Sequence, residues 1–187
     1  MPEFTTTKVA LRRELLAYRQ AISSEVRRDW NASLCAHLLA WHNAQQVQTL
    51  GVYSPIRGEP DLSAAYAELA SRGVRLALPV VAAKDAPLDF FEWKPGDAMT
   101  KDEYGVAIPL ARNKLRPDAL LIPCIGFNAQ RFRLGYGGGF YDRTLAAQPR
   151  PMTVGIAYSC ALVAFEPDAH DVALDAVITE AGQIEAK

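Results

Sequence analysis

The sequence predicts an α/β fold with three layers, a mostly parallel open sheet and a helical N-terminal arm. One observation is that residues 49–81 indicate a strand, a helix and a second strand, which together have the size of a βαβ unit. Another is that short apolar runs alternate with helical segments along the rest of the chain. The 187 residues contain neither a repeat nor a linker, so we expect a single domain over residues 1–187.

Two helices are predicted near the N-terminus. Residues 7–22 carry apolar side chains three and four positions apart, and the threonines just upstream can cap the helix. Its buried face would consist of Leu11, Leu15, Tyr18 and Ile22. Residues 24–42 have the same periodicity and would bury Val26, Trp30, Leu34, Leu38 and Trp41.

The strands are predicted from short apolar runs between turn residues. A strand over 49–53 leads into the polar turn at 57–60. Asp61 can cap a helix that continues to Ala70, and Gly73 ends it. The remaining elements are a helix over 140–147 and strands over 74–81, 88–93, 119–123, 152–158 and 175–178.

Composition and charge exclude several classes of function. The 20 Lys and Arg residues against 21 Asp and Glu residues leave a net charge of −1, which disfavours a general nucleic-acid binder. Cys35, Cys124 and Cys160 form no CxxC pair, which favours a reducing, cytoplasmic location over a disulfide framework or a zinc site. No apolar stretch approaches the roughly 18 residues of a membrane span. We therefore expect no membrane or nucleic-acid partner and a monomeric protein, with a weak homodimer as the alternative.

The most informative segment is the glycine loop, residues 135–139, in which four of the five residues are glycine. It lies between a predicted buried strand and a predicted helix, and glycines allow backbone N–H groups to converge on an anion. Arg133 and Arg143 flank it with planar donor groups that suit phosphate or carboxylate oxygens. A glycine run alone is equally typical of a flexible turn, but these arginines and Asp142 favour phosphate. The loop matches neither the Walker pattern, which needs Lys followed by Ser or Thr, nor GxGxxG, which needs glycine in place of Phe140.

Other charged residues are candidates for binding, and each has a structural alternative. Asp142 can cap the following helix, which its spacing favours, or can bind a magnesium ion shared with phosphate. Asp171 is an ordinary loop residue unless the fold brings it near the glycine loop. Lys8 and Arg12 are one helical turn apart and can reach one anion together, although most such pairs are solvated surface charge. Glu59, which follows the end of a strand, can accept hydrogen bonds from a heterocycle or be a plain turn residue.

Patterns for nucleophilic or zinc catalysis are missing from the sequence. There is no GxSxG and no HExxH, and the three histidines lack the spacing of metal ligands. Cys124 follows a predicted buried strand, where a small core residue is more frequent than a nucleophile.

Several segments, in the same order along the chain, resemble the 5-formyltetrahydrofolate cyclo-ligase family, also called methenyltetrahydrofolate synthetases. The most specific are LLIP at 120–123 and RLGYGGGFYDR at 133–143. KVALR at 8–12, residues 53–59 after the first strand and Asp171 in a short acidic loop also match. The resemblance therefore covers nearly the whole chain.

The resemblance implies a fold like that of ribose-phosphate isomerase and CoA-transferase domains, and an ATP- and magnesium-dependent ligase of folate one-carbon metabolism. In the family, the formyl oxygen of 5-formyltetrahydrofolate attacks the γ-phosphate of ATP. Nitrogen 10 then closes the ring, and ADP, phosphate and 5,10-methenyltetrahydrofolate result. An amide oxygen is a weak nucleophile, so such an enzyme needs positioning and neutralisation of charge, and no side-chain nucleophile.

The resemblance also implies roles for individual residues at matching positions. ATP would be bound by Lys8, Val9, Ala10, Leu11, Arg12, Arg133, Leu134, Gly135, Tyr136, Gly137, Gly138, Gly139, Phe140 and Tyr141. The folate would contact Ser54, Glu59, Tyr136, Gly137, Gly138, Gly139 and Phe140. Catalysis would depend on Arg133, Tyr141 and Arg143, and the magnesium ion on Asp142 and Asp171.

The sequence departs from the family pattern at three positions. Asn128 stands where members commonly have Asp, Phe140 replaces a usual Tyr, and Ile108 stands where Glu is frequent. Asn128 keeps open the alternative of a non-catalytic paralogue that binds folate or nucleotide without turnover. A sugar-phosphate isomerase of similar fold, which would bind phosphate in the same loop and ignore ATP, is a third hypothesis.

Overall fold

The computed structural model describes residues 7–185, which form four α-helices and eleven strands. The helices are α1 (Lys8–Ala21), α2 (Ser24–Gln45), α3 (Ser63–Ser71) and α4 (Phe140–Ala146), with a 3₁₀ turn at Ser159–Ala161. The first six strands are β1 (Thr49–Gly51), β2 (Arg75–Val81), β3 (Leu88–Trp93), β4 (Met99–Lys101), β5 (Ala107–Pro109) and β6 (Ala119–Pro123). The others are β7 (Gly126–Phe127), β8 (Arg133–Leu134), β9 (Met152–Ile156), β10 (Ala176–Thr179) and β11 (Gly182–Glu185).

Seven of the strands form one sheet in the order β11-β10-β9-β6-β1-β2-β3. The five inner strands pair in parallel, and the two edge strands β3 and β11 pair antiparallel to their neighbours. Parallel strands are buried on both faces, which explains the continuous apolar run of β6. The α/β class, the mostly parallel open sheet and the helical N-terminal arm predicted from the sequence are confirmed.

The core lies on both faces of this sheet. Side chains alternate along each strand, so Leu76 and Leu121 belong to one buried cluster, together with residues of α2 and α3. Their neighbours Ala77 and Leu120 belong to the other cluster, together with Leu145 of α4. The sheet is therefore the middle of three layers.

Hydroxyl caps define where the two N-terminal helices begin. Thr7 Oγ1 accepts a hydrogen bond from the Ala10 N–H at 3.2 Å, and Ser23 Oγ accepts one from the Val26 N–H at 3.3 Å. Gln46, in the left-handed conformation, ends α2. Within residues 7–185, no helix is both long enough and apolar enough to cross a membrane.

The predicted buried faces of α1 and α2 are wrong at two positions. Tyr18 is 57% exposed and Val26 is 39% exposed, whereas Arg19 is only 6% exposed. Arg19 is buried because its guanidinium reaches three hydrogen-bond acceptors, and a hydrophobic pattern cannot predict such a position.

Several element boundaries also differ from the prediction. The strands begun at Thr49 and Met152 end at Gly51 and Ile156, two residues early, because the chain turns there into loops at the sheet edge. Asp61 does not occupy the N-cap of α3, which is Leu62, but its Oδ1 accepts from the Ser63 N–H at 2.9 Å. Likewise the N-cap of α4 is Gly139, so Asp142 lies inside the first turn instead of capping it.

Candidate functional site

The candidate site lies beside β1, where later strands of the chain are added to the sheet on opposite sides. From β1 the chain continues to β2 on one side, and β6 is added later on the other side of β1. The carboxyl ends of these parallel strands open a crevice, which is the usual ligand site of open α/β sheets. The loop after β1 carries Glu59, and the segment after β6 continues through the β7–β8 hairpin to the glycine loop.

The glycine loop has a conformation that only glycine adopts easily. Gly137 and Gly139 have φ angles of 93° and 64°, in the left-handed region. At Gly139 a Cβ atom would also lie 2.8 Å from a nitrogen of Arg143. At Gly135, in contrast, a Cβ atom would meet nothing within 4 Å.

Two guanidinium groups hold carbonyl oxygens of this loop. Arg12 Nε donates to the Gly135 carbonyl, and a terminal nitrogen of Arg143 donates to the Gly138 carbonyl, both at 2.7 Å. Arg143 also pairs with Asp85 at 2.7 Å. Within residues 7–185, the backbone N–H groups of Gly137, Gly138 and Gly139 donate to no acceptor of the protein. The loop therefore has fixed carbonyls and free N–H donors.

Two groups of paired charges include several of the predicted site residues. Arg133, 9% exposed, forms an ion pair with Asp142 at 2.6 Å, and its ring contact with Tyr141 has a guanidinium-to-centroid distance of 5.9 Å. Lys8 Nζ lies 2.7 Å from a carboxylate oxygen of both Asp168 and Asp171. The predicted cations and carboxylates are therefore close enough to interact in one region of the fold.

Asp171 is held in its ionised form. Burial alone would raise its pKa, but hydrogen bonds from Lys8 and from the Asp168 N–H outweigh that effect, so the pKa of Asp171 is lowered. A second hydrogen-bond donor, Arg133, binds the carbonyl of the next residue, Val172, at 3.4 Å. Arg133 therefore pairs with the carboxylate of Asp142 and binds the backbone beside Asp171, the two residues that the family resemblance implies as metal ligands.

The donor chemistry of Asp142 and Asp171 suits a magnesium ion. This ion prefers oxygen ligands and usually takes one or two carboxylates, with phosphate oxygens and water for the rest. Across residues 7–185, no three His, Cys, Asp or Glu side chains come together as a metal-binding group. Asp171 pairs with Lys8 and Asp142 with Arg133, so their role as magnesium ligands stays a prediction.

Glu59, in the loop after β1, is buried, with 4% of its surface exposed. One carboxylate oxygen accepts from the Tyr136 hydroxyl and the other from the Ile56 N–H, both at 2.8 Å. Burial raises the pKa of Glu59, and these hydrogen bonds and the charge of Arg19 offset part of the rise. Burial and the nearby Glu59 charge raise the pKa of Tyr136 to about 12, so its hydroxyl keeps its proton.

The candidate nucleophiles of the site are unreactive. Cys124 is buried, its thiol donates to the Ile122 carbonyl at 3.3 Å, and burial raises its pKa to about 12. Burial also raises the pKa of Tyr141 well above its usual value. Ser54 is half-buried in the loop after β1, the loop that also carries Glu59. The arrangement can bind and orient an anion but offers no activated side-chain nucleophile.

The departures from the family pattern have structural roles. Asn128 is 3% exposed: its Oδ1 accepts from the N–H groups of Gln130 and Phe132, and its Nδ2 donates to the Phe165 carbonyl. An ionised Asp could not make that last bond. Ile108 is buried, and Phe140 contacts the ring of Tyr104 and the guanidinium of Arg143.

The structure also brings residues to this region that the sequence did not suggest. Arg19 reaches Tyr136, Asp168 pairs with Lys8, and Asp85 pairs with Arg143. The sequence contains a pattern from which Arg19 could have been predicted. It lies eleven positions after Lys8 and seven after Arg12, on one helix face. Asp85 and Asp168 are loop residues with no such periodicity. Of the predicted ATP contacts, Val9 is 72% exposed, and its contact with ATP stays a prediction.

Comparisons of this chain with known proteins all point to one family. The model of the 5-formyltetrahydrofolate cyclo-ligase family matches residues 4–180. A 5-formyltetrahydrofolate cyclo-ligase from Mycoplasma pneumoniae is 30% identical over 92% of this chain and 98% of its own length. The protein of the same name from Escherichia coli is 30% identical over 86% of this chain and 93% of its own length.

Two solved structures share the fold. A 5,10-methenyltetrahydrofolate synthetase from Mycoplasma pneumoniae superposes with a TM-score of 0.79 at 28% identity, covering 92% of this chain and 98% of that one. The 5,10-methenyltetrahydrofolate synthetase of Aquifex aeolicus gives a TM-score of 0.83 at 26% identity, covering 95% of this chain and 92% of that one.

Proposed function

The chain belongs to the 5-formyltetrahydrofolate cyclo-ligase family, and from this premise we propose how its site performs the ATP-dependent conversion of 5-formyltetrahydrofolate to 5,10-methenyltetrahydrofolate. ATP binds at the glycine loop, and the folate binds against the loop after β1. The two ligands meet at the crevice between β1 and β6. ADP and phosphate are the other products.

One observation carries the ATP side of the proposal: three consecutive backbone N–H groups, at Gly137, Gly138 and Gly139, have no hydrogen-bond acceptor among the described residues. Unpaired N–H groups beside cations are typical of a phosphate site. Arg12 and Arg143, which hold the loop carbonyls, add positive charge on either side. We assign the triphosphate to this loop, with Lys8 and Arg133 as further cations.

The folate side of the proposal depends on Glu59. Each carboxylate oxygen accepts one hydrogen bond from the protein and can accept another. A pterin ring presents an amide N–H and an amino group side by side, which match two carboxylate oxygens. Two residues complete the proposed folate contacts: Ser54, in the same loop as Glu59, and Tyr136, which belongs to the glycine loop and donates to Glu59.

The reaction needs no covalent bond to the protein. The formyl oxygen forms a bond to the γ-phosphorus, the bond from that phosphorus to the bridging oxygen breaks, and ADP leaves. The product is an imidate phosphate on N5. Nitrogen 10 then bonds to the formyl carbon and loses its proton, while the carbon–oxygen bond breaks and phosphate departs with the formyl oxygen.

The residues contribute positioning and charge to these steps. Phosphoryl transfer spreads negative charge over the equatorial oxygens, and fixed N–H groups and guanidinium ions stabilise that charge. Arg133 and Arg143 are assigned to it, and Tyr141, whose ring lies against Arg133, orients that guanidinium. The uncharged thiol of Cys124 takes no part.

Magnesium would be held by Asp142 and Asp171, the carboxylates of the site that suit its preference for oxygen. The ion, when bound with the nucleotide, supplies neutralisation of the phosphate charge. Before the ion binds, each of these carboxylates pairs with a cation, Asp142 with Arg133 and Asp171 with Lys8.

A direct assay tests the proposed function. Purified protein mixed with 5-formyltetrahydrofolate, ATP and magnesium should produce the methenyl chromophore, which absorbs in the near ultraviolet, with one ADP for each product. Mixtures that lack ATP should give none. If the folded protein, checked by circular dichroism, gives no chromophore and consumes no ATP, the proposal is wrong. The non-catalytic alternative rested on Asn128, and that residue is accounted for by its three hydrogen bonds.

A further inference from the structure

Arg19 is the most deeply buried cation of α1, with 6% of its surface exposed. Its guanidinium donates to the carbonyls of Arg57 and Cys124 at 3.2 and 3.3 Å and to the Tyr136 hydroxyl at 2.7 Å. These partners follow β1, β6 and β8 in the chain. A buried, unpaired arginine is costly, so a fold that keeps one here needs its charge or its hydrogen bonds.

The contact with Tyr136 sets the direction of a proton. Because Arg19 can only donate, the Tyr136 oxygen accepts from it, and the single Tyr136 proton is then directed to Glu59, 2.8 Å away. Glu59 is thereby an acceptor in a chain of hydrogen bonds that begins at Arg19. Its second oxygen is fixed by the Ile56 N–H.

The charged side chains that face Glu59 are two cations. The cations that face it are Arg19 from α1 and Arg57 from its own loop. The other titratable groups that face it are neutral: Tyr136 of the glycine loop, Tyr53 after β1, Cys124 after β6 and Tyr141 of α4. Arg57 is exposed, with its guanidinium over the Tyr136 ring, so Arg19 is the buried cation of this group.

We propose that Arg19 is a positioning residue for the folate: it orients Tyr136 and keeps the Glu59 carboxylate ionised as an acceptor for the pterin donors. The inference rests on the proposed function, in which Glu59 binds the folate. It adds a residue that touches neither substrate. Arg19 also lies on the helix that carries Lys8 and Arg12, so α1 contributes to both substrate sites.

The first test needs no ligand. The carboxyl carbon of Glu59, assigned in a ¹³C-glutamate-labelled sample by its loss in Glu59→Gln, is titrated by NMR in the wild type and in Arg19→Met. We expect the pKa of Glu59 to rise by about one unit or more in Arg19→Met, because a buried carboxylate loses its nearest buried cation. Arg19→Lys, which keeps the charge, should shift it less and serves if Arg19→Met fails to fold. The matched control is Arg27→Met: Arg27 binds the Arg19 carbonyl but not Tyr136, and should leave the pKa unchanged.

The second test measures folate binding between pH 6 and 8.5 by calorimetry. In Arg19→Met the affinity for 5-formyltetrahydrofolate should be lower where the pH lies below the raised pKa of Glu59 and should recover as pH rises, by up to tenfold for each unit of the rise in pKa. Affinity for magnesium and ATP should change less than threefold. Glu59→Gln should bind weakly at every pH.

The outcomes separate the two proposals. A Glu59 pKa unchanged in both Arg19 variants, or an equal loss of folate affinity at every pH in Arg19→Met, overturns the role of Arg19. If the pKa shifts but Glu59→Gln binds folate as tightly as the wild type, the interaction of Arg19 with Glu59 is supported and the proposed folate role of Glu59 is overturned.

Discussion

At the scale of single residues, the site consists of charged side chains, most of them buried or partly buried, that have partners before any ligand arrives. Arg133 pairs with Asp142, Lys8 with Asp168 and Asp171, and Glu59 with Tyr136. Pairing lowers the cost of burial and holds each side chain in one orientation. Such preorganisation is what a reaction based on positioning requires.

Replacing Arg133 should weaken the binding of ATP much more than the binding of the folate. We expect Arg133→Ala to weaken binding of ATP about 10- to 100-fold, because a charge-assisted contact to phosphate is lost. Affinity for 5-formyltetrahydrofolate should change less than threefold. Calorimetry with each ligand measures this, with Arg116→Ala as the control, since the Arg116 guanidinium donates to the Pro149 carbonyl and is not assigned to either substrate. Equal losses for both ligands would contradict the assignment of Arg133 to phosphate.

The ionisation of Glu59 should make the free energy of unfolding depend on pH. Its pKa in the fold is raised above the usual 4.5, so its contribution to stability is complete below pH 4.5 and is lost as pH rises through the raised value. Glu59→Gln does not titrate, so its free energy of unfolding relative to wild type should increase over that range. The increase is about 1.4 kcal/mol for each unit by which the pKa is raised. Urea unfolding of both proteins from pH 4.5 to 8 measures it, and a constant difference would show that the pKa of Glu59 is not raised.

At the scale of elements, short loops at the carboxyl edge of the sheet carry the site. The glycine loop and the loop after β1 lie on either side of the switch point between β1 and β6. Both are held by arginines of α1: Arg12 binds the Gly135 carbonyl and Arg19 the Arg57 carbonyl. The N-terminal helix is therefore a wall of the site as well as a layer of the fold.

Two glycines of one loop should respond differently to alanine. Gly139→Ala places a Cβ atom in a left-handed residue and 2.8 Å from Arg143, so we expect a loss of about 1–2 kcal/mol in stability and weaker ATP binding. Gly135→Ala, the matched control, meets open space and should change stability by less than about 0.5 kcal/mol. Urea unfolding of both variants tests this. A stable Gly139→Ala protein would mean that the loop does not need its left-handed residue.

Long periodic elements were predictable from the sequence, and short ones were not. The helices α1 and α2 and the buried strand β6 appear close to their predicted bounds because each has a clear hydrophobic pattern. The hairpins β4–β5 and β7–β8 and the edge strand β11 were missed, because two to four residues cannot show a period. The contacts of Arg19 depend on three loops that are distant in sequence, so no local pattern specifies them.

At the scale of the whole molecule, the proposed phosphate and folate sites share one sheet edge. The parallel strands β1 and β6 lie next to each other, so the loops that carry the proposed contacts are side by side. A single domain over residues 1–187 remains a prediction. The individual ligand contacts of the glycine loop, Ser54, Tyr141 and the carboxylates Asp142 and Asp171 likewise remain proposals, because they depend on groups that the ligands bring.

ATP should stabilise the whole fold. A ligand present at 100 times its dissociation constant adds about 2.7 kcal/mol to the free energy of unfolding. We expect magnesium and ATP to raise the thermal unfolding temperature and ribose 5-phosphate at the same concentration not to do so. Differential scanning fluorimetry measures both. Stabilisation by the sugar phosphate alone would favour the isomerase hypothesis and contradict the assignment of the glycine loop to a triphosphate.

The central claim is that the formyl oxygen itself attacks ATP in a site that only positions the two substrates. The most direct measurement uses 5-formyltetrahydrofolate labelled with ¹⁸O in the formyl group, with mass spectrometry of the phosphate released. The account predicts one ¹⁸O atom in each phosphate and none from labelled water. Phosphate that carries an oxygen atom from water, and no label from the folate, would contradict it.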